Sequence, residues 1–416
     1  MSREEIEQVE KELDEVLEIV QRPVPVKNTG REETVSLQEN LQENDPLQEE
    51  MQIETEKEEK EEKEDSPESA AKEQTAVSEE ELDLEDDIEN GYFHFLRPSD
   101  GLIAAFFVPV AVLIILFAQR GIFPFGEECF LRTDMYHQYA PFFSEFQYKL
   151  KQGGSLLYSW DIGMGVNFSA LYAYYLASPV NWLIILCPKK FIIEFMTILI
   201  MVKTGLCGVT FTWYLDHHFE KKHFVAGVFG IFYALSGYMA AYSWNIMWLD
   251  CIFLLPLILY GLEQLVQEKK GLFYCVTLGL SILSNYYISI MICIFMVMYV
   301  IVQVILYPPK KIKDLVATGV RFGFYSLLAG GLAAVVLLPE IYALQATASG
   351  DFDFPKTISC YFSIFDMIAR HIGNVGTEIG LDHWPNIYCG VAVLMFLLLY
   401  LGAKKITVRE KAVYCG

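Results

Sequence analysis

Residues 102–119 read LIAAFFVPVAVLIILFAQ, a run of eighteen residues without a charged side chain. A helix of that length rises about 27 Å, which is close to the thickness of the hydrocarbon core of a bilayer. Further apolar runs follow at about 168–187, 191–215, 224–243, 251–266, 272–307, 315–338 and 387–403. The sequence therefore predicts an all-α polytopic membrane protein and excludes an ordinary soluble enzyme.

Charge is divided unevenly along the chain. The 416 residues carry a net charge of −22, of which residues 1–96 contribute 33 acidic and 9 basic side chains, whereas residues 97–416 are nearly neutral. A segment so acidic and so poor in apolar residues cannot bury a core, so residues 1–96 are predicted to be a mostly disordered cytoplasmic tail. Residues 97–416 form the predicted membrane domain. Because no basic stripe offsets the acidic excess, a nucleic-acid binder is excluded.

One apolar pattern lies near the start of the acidic tail. Within residues 3–21, steps of three and four residues separate five aliphatic side chains, which are Ile6, Val9, Leu13, Val16 and Val20. This heptad seam is shorter than the three or four heptads, roughly, that a stable coiled coil needs. We therefore expect a short coiled coil that forms with a protein partner.

The number of spans follows from length and charge. The run 272–307 is too long for one helix and is predicted to fold back near Asn285, which gives eight spans if residues 168–187 do not cross. With a cytoplasmic tail, the lysine-rich segments near 221, 269, 310 and 404 then all lie inside, as the positive-inside rule requires. A crossing at 168–187 would place all four outside. We therefore predict an interfacial or re-entrant segment there, interrupted by Pro179.

This topology places two large loops outside, at about 120–190 and 340–386. The first carries Asp134 among imidazole, amide and phenol side chains, in the sequence DMYHQY. A carboxylate in that position can act as a general base, and beside His137 it can help to hold a divalent cation. A single aspartate in a polar loop is also typical of a turn or of a helix cap.

Two further sets of residues could face the same side. Trp244, Asn245 and Asp250 surround the start of a span, where aromatic rings can stack on sugars and polar side chains can bind hydroxyls. The aromatic belt at a bilayer boundary is the alternative for the tryptophan. Lys203 lies within a span and needs a counter-charge, which could be a lipid phosphate or an acid on another helix.

The sequence contains no P-loop, GxSxG, HExxH or GxGxxG motif. Nucleotide-driven transport and the common hydrolase mechanisms therefore have no support. The nine cysteines include no CxxC pair, which argues against a zinc ribbon.

The order of several motifs resembles a known family. They are DMYHQYAP at 134–141, YYLASP at 174–179, SGYMAAYSWNIMWLD at 236–250, LLAGGLAAVVLLPEIYAL at 327–344 and PNIYCG at 385–390. Together they resemble the YfhO family of bacterial membrane proteins. The resemblance implies a GT-C-like transmembrane helix bundle and a glycosyltransferase. It would move a sugar from a polyprenyl-phosphate carrier to a wall polymer such as lipoteichoic acid, on the outer face of the bacterial cell membrane.

The resemblance also implies roles for individual residues. GT-C enzymes place a catalytic acid in the first outer loop, and the matching position in this sequence is Asp134. The sugar site would then be shaped by His137, Gln138, Trp244, Asn245 and Asp250. Lys203 or Arg132 would offset the charge of the leaving phosphate.

The sequence departs from the family pattern in two respects, and two other functions are alternatives to sugar transfer. Chains of the family are longer, whereas this sequence stops at Gly416 in a basic segment, so we expect a fragment or a truncated reading frame. The acidic tail does not belong to the family pattern. A transporter or flippase of a lipid-linked glycan is one alternative, although no internal repeat favours it. A non-catalytic membrane scaffold that recruits a partner through its tail is the other.

Overall fold

A computed structural model describes residues 97, 99–220, 224–346, 362–372, 376–377, 379 and 385–415. The predicted acidic tail and its coiled coil lie outside the described residues. Within the described part, regular structure is almost entirely helical, and one small antiparallel sheet pairs β1 (Tyr158–Ser159) with β2 (Val166–Asn167). The predicted all-α membrane fold is confirmed for this part of the chain.

Fourteen α-helices follow one another in the described part. They are α1 (Asp100–Gln119), α2 (Ala140–Gln152), α3 (Phe168–Leu171), α4 (Ile192–His218), α5 (Phe224–Ala234), α6 (Gly237–Tyr242), α7 (Leu249–Gln267), α8 (Leu272–Ser284), α9 (Tyr286–Leu306), α10 (Ile312–Leu332), α11 (Ala334–Gln345), α12 (Ile364–Ala369), α13 (Val391–Gly402) and α14 (Val408–Cys415). Two π-helices, Met135–Tyr139 and Tyr172–Leu176, and two 3₁₀ helices, Pro179–Leu186 and Lys189–Phe191, occupy the segment between α1 and α4.

Six helical segments of the described part are long and apolar enough to cross a bilayer. They are Asp100–Gln119, Lys189–His218, Phe224–Tyr242, Leu249–Gln267, Tyr286–Leu306 and Ile312–Leu332. Two more of the eight predicted spans correspond to α8 and α13, which are apolar helices of 13 and 12 residues. These two are shorter than a straight crossing requires.

Small residues bring α1, α4 and α5 close together. A side chain on Gly208 would collide with the carbonyl oxygen of Ala105, and one on Gly230 would lie 2.5 Å from the carbonyl oxygen of Gly208. Such small-residue contacts are typical of packed membrane helices. Because Gly208 faces Ala105 while Gly205 faces Val110, α1 and α4 run antiparallel.

The antiparallel direction of α1 and α4 decides where the intervening segment lies. Residues 120–191 must begin and end at the same end of the helix bundle, which we call the loop end. Within this segment, Phe168–Leu176 and Pro179–Leu186 are bent by 102° relative to each other. This geometry supports the prediction that residues 168–187 form an interfacial or re-entrant segment rather than a straight span.

Contacts between α7 and its neighbours give the directions in which these helices run. The contacting pairs are Lys203 with Asp250 and Tyr214 with Glu263 for α4 and α7, Cys251 with Ser281 and Gly261 with Tyr274 for α7 and α8, and Cys251 with Ser289 and Glu263 with Tyr299 for α7 and α9. Thus α7 runs parallel to α4 and α9, and antiparallel to α8. The predicted reversal near Asn285 is therefore present between α8 and α9.

The last two spans, α10 and α13, continue the alternation of helix direction. Helix α10 runs parallel to α8, because the hydroxyls of Tyr274 and Ser326 are 3.0 Å apart and Gly279 faces Leu332. Helix α13 runs antiparallel to the α5–α6 segment. The lysine-rich segments after α7, α9 and α13 consequently share one end of the bundle, opposite the loop end, which we call the basic end.

Cysteine labelling tests this topology and its orientation. We expect Gln152→Cys, at the exposed end of α2, to react with a membrane-impermeant maleimide in intact cells, in a background without native cysteines. Lys270→Cys, at the basic end, should react only after permeabilisation. Labelling of both positions from one side would contradict the antiparallel arrangement of α1 and α4, and a reversed pattern would contradict a cytoplasmic basic end.

Candidate functional site

Asp134 lies at the loop end, immediately before the π-helix Met135–Tyr139. The preceding residue, Thr133, has a φ of 48°, an uncommon conformation for a β-branched residue that turns the chain into this helix. Asp134 occupies the N-cap position, but its side chain makes no capping hydrogen bond. No other described residue donates a hydrogen bond to this half-buried carboxylate. The alternative of a simple cap residue is therefore not supported.

Tyr139, in the same loop as Asp134, contacts the turn before α7. Its buried hydroxyl donates to Asn245 Oδ1 over 2.7 Å, and its ring stacks against the indole of Trp244 with centroids 6.0 Å apart. Burial raises the pKa of Tyr139 well above its ordinary value, and the negative charge of Asp134 raises it further. The phenol therefore stays protonated and remains a donor to Asn245.

Gln138 is held on the same side by a second tyrosine. The hydroxyl of Tyr175 donates to Gln138 Oε1 over 2.9 Å, and the rings of Tyr175 and Tyr139 have centroids 5.6 Å apart. We call Tyr139, Tyr175, Trp244 and Asn245 the aromatic cluster. The cluster contains Trp244 and Asn245 and holds Gln138 through Tyr175, and the negative charge of Asp134 acts on both of its tyrosines. The sequence predicted these four residues for the site.

Asn245 carries an unused donor in the middle of the aromatic cluster. The residue is 2% exposed, and its amide nitrogen has no hydrogen-bond partner among the described side chains and backbone. A buried polar group without a partner is costly, so such groups often mark the place of a ligand. The arrangement thus offers a carboxylate acceptor and an amide donor beside aromatic rings.

Lys203 and Asp250 form a buried ion pair next to the turn that carries Trp244 and Asn245. Their side chains meet at 2.5 Å, Lys203 Nζ also donates to the carbonyl of Ile246 over 3.1 Å, and Ser178 Oγ donates to the other Asp250 oxygen over 2.7 Å. Of the two partners that the sequence left open for Lys203, the structure shows the acid on another helix. The pair also connects the bent segment to α4 and α7.

Arg132 and His137 lie apart from the aromatic cluster. The side chain of Arg132 is exposed and forms no ion pair with the described acids. His137 is also exposed and lines a separate open cavity together with Lys189 and Lys190. The structure therefore divides the predicted site residues between the aromatic cluster, the buried ion pair and this cavity, and it leaves Arg132 outside all three.

The donors for a metal ion are few. Among the described residues, no group of three or more His, Cys, Asp and Glu side chains could hold a metal ion. A divalent cation near Asp134 and His137 would need further oxygen ligands from water or from a substrate phosphate, as Mg²⁺ commonly takes.

Sequence reasoning missed Tyr139, Tyr175 and Ser178. Asp134 and Tyr139 are five residues apart, which an ordinary α-helix places on different faces. The residues after Asp134 form a π-helix, whose wider i to i+5 turn reduces the angle between the two faces, and the charge of Asp134 acts on the Tyr139 phenol. A helical period of 3.6 therefore could not predict that Asp134 and Tyr139 share a face, although both tyrosines lie in the motifs DMYHQYAP and YYLASP.

Comparison with known proteins gives one finding. The family model described as "Bacterial membrane protein YfhO" matches residues 104–415. The matched region includes every helix at the site and excludes the acidic tail. No curated protein and no solved structure gives a match.

Proposed function

The chain belongs to the YfhO family of bacterial membrane proteins, and from this we propose that it transfers a sugar from a polyprenyl-phosphate carrier to a cell-wall polymer such as lipoteichoic acid. The transfer would take place at the loop end, on the outer face of the bacterial cell membrane. The observation that carries the proposal is the Asp134 carboxylate, which accepts no hydrogen bond from a described residue and whose charge acts on the Tyr139 phenol that binds Asn245. The amide nitrogen of Asn245 is itself without a partner among the described residues.

Asp134 would act as the general base. Its carboxylate would accept the proton of an acceptor hydroxyl while that oxygen forms a bond to the anomeric carbon of the sugar. The bond between the anomeric carbon and the phosphate oxygen breaks, and the phosphate leaves with the electron pair and the polyprenyl chain. Because the nucleophile is the acceptor hydroxyl, the reaction needs no second carboxylate to activate water.

The aromatic cluster would bind the sugar. Tyrosine and tryptophan rings offer flat faces for the apolar side of a pyranose, and the free amide of Asn245 can donate to a sugar hydroxyl. Gln138, held by Tyr175, would provide a second amide. The proposed sugar site therefore uses residues from two distant parts of the chain, the loop that carries Gln138 and the turn that carries Asn245.

Lys203 and Asp250 would position the site rather than contact the sugar. Lys203 holds the carbonyl of Ile246, the residue after Asn245, and its charge is already balanced by Asp250. The pair thereby fixes the turn that presents Trp244 and Asn245. This assignment replaces the direct contact with substrate that the sequence suggested for these two residues.

Reconstitution distinguishes transfer from transport. The full chain in liposomes, supplied with polyprenyl phosphates that carry radiolabelled hexoses or N-acetylhexosamines and with lipoteichoic acid outside, should move label into the polymer. Liposomes without protein are the control. Label that stays on the lipid but changes leaflet would indicate a flippase and overturn the proposal, and label that does neither would indicate a scaffold.

A further inference from the structure

An open cavity of about 580 Å³ lies between the start of α2 and the start of α4, at the loop end. Its polar lining includes His137, Ser144, Lys189 and Lys190, and most of its other walls are aliphatic. None of the described residues that line it is acidic. The cavity therefore combines a cationic rim with an apolar surface, next to the point where the chain enters the long helix α4.

The two lysines of this rim are not used within the described part of the protein. Lys189 and Lys190 are exposed and form no ion pair with a described acid, and Lys190 Nζ lies 4.7 Å from the centre of the Phe191 ring. Other cations nearby are occupied. Lys149 pairs with Glu145 at 3.4 Å, and Lys151 donates to the carbonyl of Cys187 over 2.7 Å.

Lys189 and Lys190 lie at the loop end, whereas the positive-inside rule places lysines at the opposite, basic end. The short basic segments of this chain collect at the basic end, in agreement with the positive-inside rule. Two adjacent lysines at the loop end depart from that pattern. An anionic ligand at the membrane surface would account for their position.

We infer that this cavity binds the phosphate group of the polyprenyl carrier, an inference that rests on the proposed function. The ammonium groups of Lys189 and Lys190 and the imidazole of His137 would contact the phosphate oxygens, and Ser144 would add a hydroxyl donor. The aliphatic walls suit the first isoprene units of the lipid. His137 follows Asp134 by three residues, so the phosphate would lie about one helical turn from the general base.

This placement gives the lysines a part in the reaction. When the bond from the anomeric carbon to the phosphate oxygen breaks, the phosphate keeps the electron pair and its negative charge increases. Cations that are already in place stabilise that charge without reorganisation. Lys203 cannot take this part, because it is buried against Asp250.

Binding of polyprenyl monophosphate to the full chain in nanodiscs of neutral lipid tests the inference. Replacing two lysines should weaken binding roughly 30-fold, if each cation at a membrane surface contributes about 1 kcal/mol. Lys189→Gln with Lys190→Gln should show this loss. Lys310→Gln with Lys311→Gln, an adjacent exposed pair at the basic end, should bind as wild type does.

Two further arms identify the source of the phosphate. A soluble glycerol phosphate oligomer should bind the wild type and the lysine variant equally weakly, and a selective loss for this probe alone would overturn the assignment to the carrier. Vesicles of phosphatidylglycerol should not distinguish the variant from its control pair. A loss equal to that for the carrier would indicate general attraction to anionic lipid and would also overturn it.

Asp134→Asn separates this inference from the proposed function. We expect this variant to bind polyprenyl monophosphate as wild type does but not to transfer sugar. Wild-type affinity of the Lys189 and Lys190 variant would refute the phosphate site alone. Wild-type transfer by Asp134→Asn would refute the catalytic proposal and leave the binding site standing.

Discussion

Asp134→Asn should lower the turnover of sugar transfer by about 10²- to 10⁴-fold, the range that general-base catalysis contributes. Asparagine keeps the shape of the side chain but cannot take the proton of the acceptor hydroxyl. Because the Asp134 carboxylate is half-buried and accepts no hydrogen bond from a described residue, its replacement should not affect folding. Initial rates at several acceptor concentrations, measured with the full chain in proteoliposomes, give turnover and KM separately.

A matched control lies in the same loop. Asp161→Asn removes the same charge from an exposed position between β1 and β2, and it should leave turnover unchanged. Equal losses in both variants would indicate a general effect of loop charge. Wild-type turnover for Asp134→Asn, at normal expression, would remove Asp134 from the mechanism.

Much of the membrane fold could be predicted because a bilayer imposes constraints that are visible along the sequence. Span length, hydropathy and the placement of lysines identified the helices and the reversal near Asn285. The same constraints did not show that α8 and α13 are short. They also could not give the 102° bend between Phe168–Leu176 and Pro179–Leu186, because that angle depends on packing against distant elements.

The candidate site was predicted one residue at a time, without its contacts. Asp134, Gln138 and Asn245 were each selected by residue type and neighbourhood. Tyr139, in the same loop as Asp134 and Gln138, reaches Asn245 through a hydrogen bond that spans 106 residues of sequence. Tyr139 also follows Asp134 through a π-helix, and a helical period of 3.6 would place the two side chains on different faces.

Lys203 shows the same limit. The sequence predicted that a lysine inside a span needs a counter-charge, which is a statement about dielectric cost. It could not choose between a lipid phosphate and an acid on another helix, because Asp250 is 47 residues away. The structure shows that the partner of Lys203 is the acid. The proposed phosphate contacts are therefore assigned to Lys189 and Lys190, which form no ion pair with a described acid.

Lys203→Met should destabilise the protein by about 3 to 5 kcal/mol, because it leaves the Asp250 carboxylate buried without its cation. Ser178 would remain as the donor to that carboxylate, and a neutral hydroxyl does not balance the charge. Thermal unfolding of the full chain in detergent, followed by tryptophan fluorescence, measures the loss. Lys270→Met removes a lysine from an exposed pair with Glu268 and should leave the unfolding temperature unchanged.

The double variant Lys203→Met with Asp250→Leu should recover most of that stability, because replacing both members of a buried pair by apolar side chains is often neutral or stabilising.

The double variant also separates the contribution of the pair to stability from its role in positioning the turn. Without the ammonium, the carbonyl of Ile246 loses its donor, so the turn carrying Trp244 and Asn245 should loosen although the bundle is stable. We therefore expect a rise in KM for the sugar donor with a smaller change in turnover. A double variant as unstable as Lys203→Met would contradict the charge argument, and one with wild-type KM would contradict a positioning role.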